Sequence, residues 1–435
     1  MLFQFELKNG LKVAAFKVPY TKSINLNLVV KGGANFDAKG KMGTAHLLEH
    51  MLLQGTARFS SPAELTEFVE SKAGYINALT YFETVEFVLR LPDKYLEDVL
   101  MLGAEVFFKP TFPEEAVEKE RSIMLEEIYS NYNSTHDRVG RFFLEAKYSP
   151  ESLLKNEVAG LPDDVKSLTL EEMKAFYNRV FKTDNSYLCL VGNFDEKALP
   201  VLVEKYFGGI STGEKLSSVK TFSEADLSGQ SVSFRKDNDL SSAFVDLSFK
   251  ALPKDASVRK WLAQLMAMNV FANFHKSWLY DLLRYQKGLV YSISMNTIAL
   301  TGFGLNNLPF ECSAENVLEV TELVVENLIK LKKQGISPEE HAYMQSNAVD
   351  GLMMQFDSVG AIMDTIKQDT VWEDRIYLPE ETAEIIKSIS VEEVNQVIAE
   401  NWDFKKANLC LQMSRDMSVE ESNKMSDLIE RLRAN

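Results

Sequence analysis

The chain has 435 residues, 46% hydrophobic and 25% charged, an ordinary balance for a globular protein and more length than one hydrophobic core usually supports. Its formal net charge of −16 argues against sequence-independent nucleic-acid binding, which needs Lys and Arg to displace counterions, and suits neutral or cationic partners. The three cysteines, Cys189, Cys312 and Cys410, are scattered with no Cys-x-x-Cys pair, which argues against a disulfide framework or a thiolate metal site.

The N-terminal stretch MLFQFELKNGLKVAAFKVPY alternates like a strand and turns at Asn9-Gly10. It lacks a basic region followed by a long apolar run, so no signal peptide is expected. No apolar segment has the length of a membrane span, and a cytoplasmic location is the default expectation. A second strand, INLNLVVKG, ends in the Gly32-Gly33 turn.

Residues 43–56, GTAHLLEHMLLQGT, follow. The segment after Gly43 holds good helix formers and no breaker, so His46 and His50, four apart, project from one side of a helix. Two imidazoles so placed can share a metal ion, and Glu49 lies close enough to reach a water bound there. A catalytic zinc takes three protein ligands and leaves a position for water, so a third ligand must come from elsewhere.

Downstream, after the strand TVEFVLRLP, the segment EEAVEKERSIMLEEIYSNYN is a long carboxylate-rich helix pattern. Glu120 and Glu127 are two turns apart and share a face, while Glu126 points about 100° away. Spacing alone does not choose between Glu126 and Glu127.

The chain then repeats itself. Residues 165–193, VKSLTLEEMKAFYNRVFKTDNSYLCLVGN, align with residues 386–414, IKSISVEEVNQVIAENWDFKKANLCLQMS. Each copy holds a Ser or Thr cap before Glu-Glu, an amphipathic helix, a polar turn and an apolar strand. This register predicts two similar halves, residues 1–210 and 232–435, joined by a Gly/Ser/Thr-rich linker at 211–231. Strands such as SAFVDLSFK and ANLCLQM alternate with long helical stretches, some strands lying close together. The fold class expected is α+β, each half a mostly antiparallel sheet packed with helices.

The combination resembles the pitrilysin family of inverted-motif zinc peptidases, in its short two-module type. In that family one helix carries His-x-x-Glu-His and a second helix supplies a Glu ligand some 75–80 residues later. The resemblance therefore implies His46, His50 and Glu127 as ligands of one Zn2+ per chain, Glu49 as the catalytic base, and Glu120 as the ligand's supporting neighbour. Residues 73–87, AGYINALTYFETVEF, resemble the family's Gly-x-x-Asn-Ala-x-Thr edge strand, which implies that Asn77 and Ala78 bind substrate by strand addition. LLRYQKGLVYSIS resembles its Arg-x-x-x-Gly-x-x-Tyr element, which implies that Arg284 and Tyr291 hold the substrate carbonyl and oxyanion. One stretch departs: the family is usually glycine-rich where this chain reads NVFANF, residues 269–274.

The function implied is a zinc-dependent endopeptidase hydrolysing unfolded peptides or presequence-like segments in a chamber that the two halves face. The alternative is a non-catalytic peptide-binding or scaffold subunit of a heteromeric complex. The partners implied are a peptide substrate and a second copy of the chain, or a related subunit in a heterodimer. Neither nucleic acid nor a membrane span is expected.

Overall fold

The N-terminal hairpin forms where the Asn9-Gly10 turn predicts it. Strands β1 (Leu2–Glu6) and β2 (Lys12–Lys17) pair antiparallel, and Gly10 turns the chain at a φ of +82° that side chains rarely adopt. The computed structural model describes residues 1–211, 221–373 and 375–435. Within these the chain divides into two units, each of the expected α+β class. The first comprises Met1–Asn131, Asn156–Lys220 and Met354–Tyr377; the second comprises Tyr132–Lys155, Thr221–Met353 and Leu378–Asn435. The units thus cross the sequence boundary expected between residues 1–210 and 232–435, each taking a segment from the other half. The linker expected at 211–231 falls outside the described residues at 212–220.

The first unit's sheet adds β3 (Ser23–Lys31), β4 (Tyr75–Thr80), β5 (Thr84–Pro92) and β6 (Ser186–Gly192), in the order β1-β2-β6-β3-β5-β4. Only β2 and β6 run parallel. The second unit holds β7 (Val232–Lys236), β8 (Ala243–Lys250), β9 (Val290–Ile293), β10 (Asn296–Leu300), β11 (Phe303–Cys312) and β12 (Asp403–Met413). Its order, β7-β12-β8-β11-β10, repeats the path β2-β6-β3-β5-β4, with the one parallel pair, β7 and β12, at the same place. Cys189 pairs with Asn27 and Cys410 with Asp246, so the aligned cysteines hold equivalent positions in two equivalent sheets.

Both faces of each sheet are covered, which explains why β6 is buried along its whole length instead of alternating. In β3, Leu26 and Leu28 face the helix Leu96–Phe108, whose Gly103 lets the two elements approach closely. The odd-numbered side chains point the other way, as a period of two requires, and there Val29 and Tyr187 pack with Val371 and Trp372 of the helix Val359–Trp372. That helix comes from the C-terminal half of the sequence. In the second unit, Val245, Leu247, Leu409 and Leu411 face the main core. Cys410 on the opposite face meets Phe142 and Ala146 of the helix Thr135–Lys147, which comes from the N-terminal half.

Each exchanged helix carries one lysine to a carboxylate on its sheet. Lys367 lies 2.9 Å from Glu86. Lys147 is paired with Asp246 and lies 2.8 Å from the Asn307 Oδ1. All three cysteines are buried and unbridged, and burial pushes the thiols of Cys189 and Cys312 up to about 12.

Candidate metal centre

The histidine helix runs Thr44–Leu52. Gly43 begins it at a φ of +95°, and a side chain there would strike the Ala159 carbonyl at 2.8 Å, so this start belongs to glycine. No side chain at the cap position serves the helix. Asp37 does so from six residues upstream: its carboxylate accepts from the Gly43 N–H at 2.8 Å and the Ala45 N–H at 3.0 Å. Those donors favour the ionised form, yet burial outweighs them and pushes the Asp37 carboxyl up to about 7. Tertiary packing therefore fixes the axis of the helix that presents both imidazoles.

His46 and His50 lie one turn apart with ring centroids 4.8 Å from each other. The second carboxylate-rich element forms the helix Glu114–Asn133. Glu127 Oε2 lies 3.9 Å from His46 Nε2 and 3.7 Å from His50 Nε2. Glu126, the other candidate left by spacing, is exposed, as Glu127 is, so it is the distances to both imidazoles and not burial that single out Glu127. Glu120 is buried two turns earlier, its Oε2 3.1 Å from His50 Nδ1. A carboxylate on Nδ1 orients the ring and leaves Nε2 as the coordinating atom.

Glu49 Oε2 stands 3.9 Å from His46 Nε2, so His46, Glu49 and His50 offer donor atoms all within 4.8 Å of one another. Burial pushes the Glu49 carboxyl above its ordinary range. Thr80 opposes that shift, reaching the carboxylate with its hydroxyl and its backbone N–H. The Thr80 hydroxyl also lies 3.5 Å from the Ala45 carbonyl. Burial, aided by the neighbouring His50, lowers His46 to about 4, so its imidazole is neutral at pH 7.

The donor set fits zinc. Two ligands about 2.1 Å from one tetrahedral ion stand about 3.4 Å apart. Separations of 3.7–3.9 Å between the imidazole Nε2 atoms and Glu127 are too long for hydrogen bonds and near that spacing. A neutral His46 imidazole is also the protonation state that zinc requires of a histidine ligand.

Asn77 and Ala78 lie on β4, the edge strand of the first sheet, against which the histidine helix packs. Its only strand partner among the described residues is β5, so its outer edge presents unpaired backbone groups. Arg284 and Tyr291 belong to the second unit and to each other's surroundings. The Arg284 guanidinium is centred 4.7 Å from the Tyr291 ring centroid, and its Nη1 lies 3.4 Å from the Val290 carbonyl. Tyr291 is 78% exposed.

Two residues that serve this centre were not singled out from sequence. Thr80 closes the Asn-Ala-x-Thr segment and was therefore within reach. Asp37 carried no local signal, because the helix it caps starts six residues later.

Residues 12–160 match the family model described as Insulinase (Peptidase family M16), and residues 167–348 match the one described as Peptidase M16 inactive domain. A Rickettsia bellii protein described as an uncharacterized zinc protease is 25% identical over 90% of this chain and 92% of its own length. The Bacillus subtilis zinc protease YmxG, likewise described as uncharacterized, is 22% identical over 91% of this chain and 94% of its own. Among solved structures, an M16 inactive-domain protein from Pseudomonas fluorescens superposes with a TM-score of 0.86 at 17% identity, covering 96% of this chain and 99% of that one. A protease from Helicobacter pylori gives 0.82 at 20% identity, covering 95% and 99%. The chain belongs to the M16, or pitrilysin, peptidase family, in its short two-module form.

Proposed function

We propose that the chain is a zinc-dependent endopeptidase acting on unfolded peptides. The observation that carries this is the convergence of His46 Nε2, His50 Nε2 and Glu127 Oε2, with a second, largely buried carboxylate, Glu49, beside them. His46, His50 and Glu127 would hold one zinc ion per chain, which when bound supplies Lewis-acid polarisation of the scissile carbonyl and activation of water.

Glu49 takes the proton of the attacking water and passes it to the leaving amine. Its burial favours this role, since a raised carboxyl holds a proton better than an exposed glutamate. Thr80 aims the carboxylate. Glu120 holds the His50 ring. The substrate backbone extends β4 along its open edge at Asn77 and Ala78. Arg284 and Tyr291 serve as donors to the substrate carbonyl; this assignment rests on the family resemblance. The working form is a homodimer, or a heterodimer with a related subunit.

A second reading, a non-catalytic peptide-binding subunit, is favoured by the description of residues 167–348 as an inactive domain. That match does not include the histidine helix, which lies within residues 12–160. The test is cleavage of quenched unstructured peptides by the wild type and by Glu49→Gln, with zinc assayed on both. Cleavage by the wild type alone, with about one zinc on each protein, supports the peptidase. Zinc on both proteins with cleavage by neither supports the binding subunit.

A further inference from the structure

The NVFANF stretch, where this chain departs from the glycine-rich pattern of its family, has an unusual backbone. Asn269–Asn273 and Asp281–Gln286 both form π-helical turns, a rare geometry that recurs at functional sites. Between these turns and the start of the helix Pro338–Gln355 lies a cavity of about 330 Å³, wholly within the second unit. That volume suits a single side chain or a small molecule.

The lining has a consistent chemistry. Val270 and Met344 contribute buried apolar surface, and Trp278 and Tyr343 contribute aromatic rings. The Trp278 indole N–H donates to Glu340, which fixes the ring. Three carboxylates, Asp281, Glu339 and Glu340, outnumber the two ammoniums at the site, Lys276 in the lining and Lys330 over the Trp278 ring. Lysines of the chain already occupy the rings: Lys276 Nζ lies 5.6 Å from the Tyr343 centroid, and Lys330, which lines the neighbouring cavity, lies 4.8 Å from that of Trp278. Aromatic faces attract cations, and nearby carboxylates strengthen that attraction.

We propose that this cavity binds an organic cation on a flexible chain, the guanidinium or ammonium of a basic peptide side chain or of a free amine. Lys276 then acts as a built-in competitor, its ammonium holding one ring until a ligand displaces it. An anion is disfavoured by the excess of carboxylates, and the aromatic and apolar walls are a poor lining for a hydrated metal ion. The site lies apart in sequence from the zinc-binding helices, and its occupancy does not depend on the chain being a peptidase.

The test is calorimetric titration of the full chain with N-acetyl-arginine amide, its neutral isostere N-acetyl-citrulline amide, and 1,4-diaminobutane. The arginine compound should bind clearly more tightly than the citrulline one. Glu339→Gln should weaken binding by about two- to fivefold, and Lys276→Ala should strengthen it by a similar factor. Both positions are exposed, so neither change threatens folding. Binding of the diamine as tightly as the arginine amide identifies a free amine as the source; preference for the arginine amide identifies a peptide. Equal binding of arginine and citrulline compounds, or affinities unmoved by both substitutions, would overturn the proposal.

Discussion

Replacing Lys147 with Met tests how the exchanged helix Thr135–Lys147 is held on the second sheet. The Lys147 side chain is 5% exposed, and its ammonium pairs with Asp246, 8% exposed, and lies 2.8 Å from Asn307 Oδ1. The other Asp246 oxygen, Oδ1, is buried with no hydrogen-bond partner, so removing Lys147 strands a carboxylate with nothing to take its place. Breaking a buried pair from one side costs about 3–5 kcal/mol. For a unit of this size 1 kcal/mol moves Tm by about 2–4 °C, which gives a loss of about 6–20 °C in the second unit's transition.

The double variant Lys147→Met with Asp246→Leu should recover much of this, because replacing a whole buried pair by apolar groups is often neutral. It still leaves the Asn307 carbonyl without the lysine, a remaining cost of about 1–3 kcal/mol. Thermal and denaturant melts of the three proteins measure both quantities. A single variant within about 1 kcal/mol of the wild type, or a double variant no more stable than the single, would refute the reasoning.

The metal centre offers two further outcomes. Glu120→Gln removes the charge that holds His50 Nδ1 and should weaken zinc affinity by about 10–100-fold in a chelator competition; unchanged affinity would leave Glu120 a merely buried acid. Asp37 binds its proton more tightly folded, at about 7, than unfolded, at about 3.9. Its contribution is therefore most favourable below about pH 4 and is lost as pH rises to 7, by up to about 4 kcal/mol. Asp37→Asn should flatten that slope in denaturant melts taken from pH 5 to 8, and an unaltered slope would place the titration elsewhere.

Local chemistry made part of this molecule legible. The aligned Thr169 and Ser390 caps both close as reciprocal boxes, with Glu172 and Glu393, because a capping box needs only four consecutive residues. The strand Thr84–Pro92, the C-terminal part of the strand Asp403–Met413, which begins four residues before the expected ANLCLQM, and the Asn9-Gly10 hairpin follow from side-chain period and turn chemistry for the same reason. His46, Glu49 and His50 needed only the helical repeat to be brought together.

The family resemblance already pointed to Glu127 over Glu126, but spacing along the chain did not, since it carries no direction and the approach to both imidazoles arises only when a second helix docks. The cap from Asp37, the Thr80 contact with Glu49 and the cavity beside Trp278 likewise join residues from separate elements. The exchange of the helices Thr135–Lys147 and Val359–Trp372 was the least legible feature, because an amphipathic helix records that one face is buried but not which sheet covers it. The sequence by itself determined the elements, the duplication and the metal-binding pattern, all set by interactions within a few turns of chain or by repetition along it. Tertiary structure alone decided which carboxylate meets the imidazoles and which sheet receives each exchanged helix, because those outcomes depend on long-range packing between surfaces that local periodicity does not encode.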